Sequence, residues 1–319
     1  MKKPIIALSL LTYAVLAIDA NAQRAYAVST LLFELDGIHS GFLKGVEGGA
    51  ISAEVIEEPA AGNETGKHLG RPVYEPFRVR YGFSAAGTAV FDWISAAWSR
   101  DYQRKDGAVI AADHHMDAKS RREFFHAVIT ETTFPACDGA SREPGYLTLK
   151  FAPEYTRQVN VSGKVSGDIG RVQPKAWLPA DFRLTIDGLD CTRIARIESF
   201  TVKHVPTPNE VGQARDYLKE PGKIDFPNLK ITLGSASART WQNWFESFVI
   251  QGRNTSQDEK KGTLEFLSPD RKEVLATLEF YGLGIFRLDA SPSEANSDMA
   301  AGTTAELYCE KMKFIAGRP

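Results

Sequence analysis

Cysteine is scarce in this chain of 319 residues: only Cys137, Cys191 and Cys309 are present. An odd number cannot all pair within one molecule. Cys309 alternates with Leu307 and Ala305 in a strand-like stretch, which suits a buried thiol. Cys137 and Cys191 lie in turn-rich segments, so a bridge between them stays open and depends on geometry. A basic excess is also missing. Lys and Arg total 38 against 40 Asp and Glu, and the net charge is −2 with a pI near 6.3. Such a balance offers nothing to neutralise a run of phosphates, which argues against nucleic acid as a partner. There is no glycine-rich loop of the kind that cradles phosphate. What is there is 43% hydrophobic and 24% charged, the mixture of a folded soluble protein, in a length that accommodates two domains.

The longest apolar run is at the start. Lys2 and Lys3 precede residues Pro4 to about Ile18, and Ala20-Asn21-Ala22 supplies a small-x-small cleavage site before Gln23. A second such site is Ala25-Tyr26-Ala27. The run falls short of the roughly 18 apolar residues a membrane anchor needs. Residues 1–22 therefore read as a signal peptide, and with no cysteine following, the mature chain is expected to be periplasmic or extracellular and not lipid-anchored.

One pattern occurs twice. Leu229, Ile231 and Leu233 alternate with Lys230 and Thr232 as in a half-buried strand, Gly234-Ser235 interrupts, and Trp241, Trp244, Phe245 and Phe248 follow at i, i+3, i+4 and i+7 of a helix. Phe77, Val79 and Tyr81 alternate with Arg78 and Arg80, Gly82 and Ser84 interrupt, and Val90, Trp93, Ile94 and Ala97 repeat the helical set. The two copies stand about 152 residues apart, which marks a duplicated domain. Each half also opens with an alternating run ending in Asp-Gly, at Asp36-Gly37 and Asp187-Gly188, a turn signal in which glycine supplies positive φ. A second strand is expected around Val46 to Val55 and around Ile197 to Val202. Two long polar segments, Glu57 to Glu75 and Pro206 to Asp225, interrupt the halves and read as loops, either solvated or reaching a neighbouring subunit. Further strands follow each helix. The resulting reading is mainly β: two tandem barrels or sandwiches, each with one flanking helix, at 28–154 and 181–316, joined by a linker at 155–180.

No catalytic constellation stands out. Ser84, between strand and helix, lacks the glycine two residues on that a nucleophile elbow needs, because Ala86 is there. Ser84 and Ser235 are better read as turn or helix N-cap residues. Asp113-His114-His115 with Asp117 has metal-ligand chemistry, yet neighbouring strand residues point to opposite faces, and a surface hairpin explains the cluster. No catalytic residue, cofactor or metal is assigned.

The stretches FRLTIDGLDCTRIARIESFTVKHV, LKITLGSASARTWQNWF and GTLEFLSPDRKEVLATLEF resemble the phage tail-tube superfamily, which includes the haemolysin-coregulated protein that forms the inner tube of type VI secretion. The resemblance spans Phe182 to Phe314 and, more loosely, Phe33 to Phe151. It implies small barrels that join into six-domain rings and stack into a tube, without catalysis. Two copies in tandem then imply a trimeric ring of two-domain chains, with itself as partner and other tube or baseplate-like components as further ones. Tyr74, Pro206, Pro208, Asn209 and Tyr217, in the two polar segments, are the candidate self-assembly residues. A monomeric binding module gripping a partner with the same loops is the alternative, and a secreted hydrolase a third.

Overall fold

Asp36 and Gly37 both adopt positive φ, 49° and 78°. That is the primed turn whose twist matches its flanking strands, and it folds β1 (Thr30–Leu35) directly back onto β2 (Ile38–Gly48). The computed structural model describes residues 30–59, 64–165, 177–205, 207–209, 218–220, 222–290 and 302–317. The expected leader at 1–22 lies outside them.

After β2 come β3 (Ile51–Pro59) and β4 (Thr65–Tyr74), then β5 (Phe77–Ala86), which runs into α1 (Thr88–Trp98). Next are β6 (Lys105–Ala112), β7 (Ala118–Phe134), β8 (Cys137–Asp138), β9 (Leu147–Ala152) and β10 (Tyr155–Val159). The second half comprises β11 (Phe182–Ile186), β12 (Ile194–Ile197), β13 (Phe200–His204), β14 (Thr207–Asn209), β15 (Leu218–Glu220), β16 (Ile224–Asp225) and β17 (Leu229–Gly234). It ends with α2 (Ala238–Phe245), β18 (Lys260–Leu267), β19 (Val274–Ala290) and β20 (Gly302–Ala316).

The pairings spell one order twice. In the first half β1, β6, β7, β9, β5 and β2 neighbour one another in turn, and β2 returns to β1, closing a six-stranded barrel. In the second half β11, β18, β19, β20, β17 and β12 follow the same order. The last pairing is missing there. Gly188 has a φ of 71°, but Asp187 does not share the positive φ of Asp36, so the turn is not primed and the chain splays away. The same Asp-Gly pair thus closes one unit and leaves the other open.

The units also exchange strands. β8 pairs with β12 (Cys137 opposite Ile197), and β13 pairs with β7 (Phe200 opposite Phe134). This exchange crosses the expected domain boundaries. The expected linker is structured at both of its described ends: Tyr155–Val159 forms β10 against β7, and Trp177 is fully buried with its indole N–H on the Asp181 carbonyl at 3.0 Å. A Cβ at Gly145 would come within 2.3 Å of the Trp177 ring, so glycine is what admits the indole. The second strands also differ from expectation. Ile38–Gly48 precedes a separate strand from Ile51, and the 197–202 region is cut into β12 and β13, which join different sheets.

A continuous aromatic seam fills the junction. Phe134 stacks on Phe200 at 5.2 Å and on Phe266 at 5.6 Å, and Phe83 stacks on Phe266 at 4.4 Å. Helix α1 serves both units: Trp93 packs on Phe151 of the first, while Phe91 and Trp98 meet Phe314 of the second. The Ser95 hydroxyl adds a hydrogen bond to the Phe314 carbonyl at 2.9 Å. In the second half Trp241, Trp244 and Phe248 are buried as the helical spacing predicts, although Phe245 is only half-buried and the helix widens into a π turn over Glu246–Ile250. The N-cap of α1 is Gly87, with no side-chain cap, and Ser235 begins a 3-10 turn ahead of α2, so serine capping is not used at either place.

Two outcomes follow from this core. Phe134→Ala should cost about 3–5 kcal/mol by emptying the seam, read as a shifted guanidinium midpoint with both halves still unfolding together. His204, on β13, is buried with neither ring nitrogen bonded among the described residues, and burial lowers its pKa to about 4. An unfolded histidine, near 6.5, binds a proton that the folded one refuses, so stability should fall as pH drops from about 6.5 toward 4, by up to ~1.4 kcal/mol per pH unit. Urea titrations across that window should show this slope, and His204→Leu should flatten it.

Candidate assembly surface

Two glycines turn the chain out of the first barrel. Gly48 and Gly49 have φ of 79° and 75°, and a Cβ on them would meet the Pro76 carbonyl at 2.0 Å and the Phe77 ring at 2.4 Å. Only glycine fits this pivot. Beyond it, β3 and β4 pair with each other and with no further strand among the described residues. The neck is closed by Glu75 N–H on the Ala50 carbonyl at 3.0 Å and by Tyr74 opposite Ile51. The expected loop 57–75 is therefore a β-arm.

The arm carries an apolar row outward. Val55 lies opposite Leu69, and Ile51 falls on the same face of β3 by strand alternation. These side chains are 56%, 70% and 54% exposed. Glu57 and Lys67 form an ion pair at 2.7 Å across the arm, but both are exposed and the pair contributes little. Two strands alone are marginal in water, so an arm with an exposed apolar row is suited to a partner surface.

The five candidate residues do not come together. Tyr74 sits half-buried at the neck of the arm. Pro208 and Asn209 lie on β14, opposite Lys219 and Leu218 of β15, in a separate two-stranded ribbon. Pro206 and Tyr217 lie outside the described residues. The sequence reading did not single out Ile51, Val55 and Leu69 for assembly: the first two fall within the expected second strand and Leu69 within the segment read as polar loop.

Elsewhere the reactive side chains have structural surroundings. His114 and His115 stand 3.8 Å apart in the turn between β6 and β7. The Asp113 carboxylate pins that turn, accepting N–H from His115 at 2.9 Å and from Asp117 at 3.0 Å and pairing with Lys119 at 2.9 Å. The Lys119 bond and these N–H groups hold Asp113 well below the usual carboxylate range. No group of three or more His, Cys, Asp or Glu suited to a metal occurs among the described residues. Ser84 lies on β5. All three cysteines are free: Cys137 and Cys309 are buried and Cys191 half-buried, so the 137–191 bridge is not formed. No helix among the described residues is long and apolar enough to cross a membrane.

No protein family and no curated protein matches the sequence. Solved structures give fold-level likeness at low identity. A chain of the extended sheath-tube complex of an extracellular contractile injection system (PVC) is 17% identical, with 42% of this chain and 88% of that chain covered and a TM-score of 0.34. A chain of the tube-terminating cap of the anti-feeding prophage is 17% identical over 47% of this chain and 96% of that one, with a TM-score of 0.33. Hcp1 from Flavobacterium johnsoniae is 15% identical over 43% and 95%, with a TM-score of 0.26.

Because the apolar row is exposed, Val55→Asp with Leu69→Asp should leave the melting temperature nearly unchanged, within the ~0.5 kcal/mol typical of surface changes. If the row instead stabilises the isolated chain, differential scanning calorimetry will show a drop of several degrees.

Proposed function

We propose that this chain is a structural subunit, not an enzyme, that assembles with copies of itself into rings or a tube. The β3–β4 arm carries this reading: the chain extends a long two-stranded element whose apolar row finds no cover among the described residues. Support also comes from the tandem design. Six matched units can be supplied by three chains, and a head-to-tail contact between them closes if the rotation per chain is right. The motifs that resemble tail-tube domains fall on strands and helices of the second unit, from Phe182 in β11 to Phe314 in β20. Lys2, Lys3 and the apolar run after them favour work outside the cytoplasm. Tyr74 at the arm's neck and Pro208 and Asn209 on the β14–β15 ribbon are the contacts first to be varied.

Purified mature chain, examined by native mass spectrometry and negative-stain microscopy, should appear as trimers or larger species and as annular or tubular particles. A strict monomer at tens of micromolar would defeat this reading and favour a binding module.

A further inference from the structure

The unit that fails to close leaves a defined opening. Leu267 donates its N–H to the Asp181 carbonyl at 2.9 Å, and Asp187 donates to the Lys261 carbonyl at 3.0 Å. With β11 in one-to-one register from Phe182 opposite Phe266 to Ile186 opposite Gly262, that phase turns Arg183 and Thr185 toward β18. The backbone groups of Phe182 and Leu184 point the other way and meet no strand among the described residues, while the N–H of Ile186 on that edge meets the Cys191 thiol. The Ile186 carbonyl is taken by the Leu189 N–H at 3.0 Å. β8 fills only the beginning of the gap: Gly139 N–H reaches the Ala195 carbonyl and Asp138 N–H the Pro179 carbonyl, both at 3.0 Å. Beside the rest of β11 remains a groove of about 690 Å³, with Leu184, Leu189, Cys191 and Ile194 in its walls. Its charged lining residues among those described are Arg183 and Arg271, both basic.

We propose that this groove is the socket for β3 from a second copy of the chain, which adds to β11 as an extra strand. This rests on the self-assembly reading and names its contact. β3 has nine residues against the five of β11, enough to cover the open edge. Its charged residues are Glu54, Glu57 and Glu58, all acidic, opposite in sign to the two arginines of the groove. Arg183 already holds Glu265 and Arg271 already holds Asp181, yet a guanidinium has five donors and can take a second carboxylate. Main-chain bonds would supply the affinity and the apolar walls and arginines the register, as in other strand additions. The arm belongs to the first unit and the socket to the second, so the contact is head-to-tail and repeats from chain to chain.

Cys191, in the groove wall, allows a direct test. Val55→Cys places a thiol on the exposed arm, and mild oxidation with copper–phenanthroline should give a ladder of disulfide-linked dimers and larger species on non-reducing gels, with a 55–191 linked peptide in the digest. The ladder should vanish when Cys191→Ser is added. Separately, Arg183→Glu with Arg271→Glu should weaken assembly at least tenfold, and Glu54→Lys, Glu57→Lys and Glu58→Lys together should restore it, with circular dichroism showing each variant folded. Absence of the 55–191 link in protein that still assembles by native mass spectrometry would overturn the socket and leave self-assembly standing. A 55–191 link found only within monomers would also overturn it. Wild-type chain that never assembles would remove both.

Discussion

A strand at the margin of a sheet leaves every second backbone N–H and C=O without a partner, and in a partly buried setting each such group costs about 1–3 kcal/mol. The first unit meets this requirement internally, since the β1–β2 pairing returns the sheet to its own beginning. The second unit cannot do so. Its Asp-Gly turn splays, β12 is only four residues long, and its outer edge is taken by β8 from the other half. Among the described residues the remaining edge of β11 and the outer edges of the β3–β4 arm meet no further strand, nor do those of the β14–β15 ribbon, β10 and β16.

The exchange of β8 and β13 has a mechanical consequence. With Phe134, Phe83, Phe266 and Phe314 interleaved in one seam and α1 buried against both halves, the main hydrophobic cluster spans both units. The seam therefore joins the two units through one shared cluster of side chains. A fixed angle between two complementary surfaces is what decides whether head-to-tail contacts close into a ring or run on as a filament.

The strand order common to the two halves was legible because the period-2 strands and the i, i+3, i+4, i+7 helices repeat at one spacing, and Trp93, Ile94, Trp241 and Trp244 are buried where the spacing places them. The fold class, mainly β with barrel-like units and a helix in each half, followed from the same signals. What sequence could not convey was which edges pair. Asp36-Gly37 and Asp187-Gly188 read identically and behave differently, because only the first aspartate takes a positive φ. Strand exchange was also hidden: Cys137–Asp138 is too short for any alternation to register, and Phe200–His204 carries a proper alternation without saying which sheet it joins. Charge misled at the arm. Glu57, Glu58, Lys67 and Arg71 made residues 57–75 look like loop, whereas those side chains decorate two paired strands.

Hydrogen–deuterium exchange at the β11 edge tests the central claim most directly. In dilute, dissociated protein the amides of Phe182 and Leu184 should exchange quickly while those of Arg183 and Thr185, bonded to β18, stay slow. On raising the concentration into the assembled range, the fast set should become protected together with amides of β3. Edge amides that are slow at every dilution, or that remain fast once rings or tubes have formed, would contradict the account.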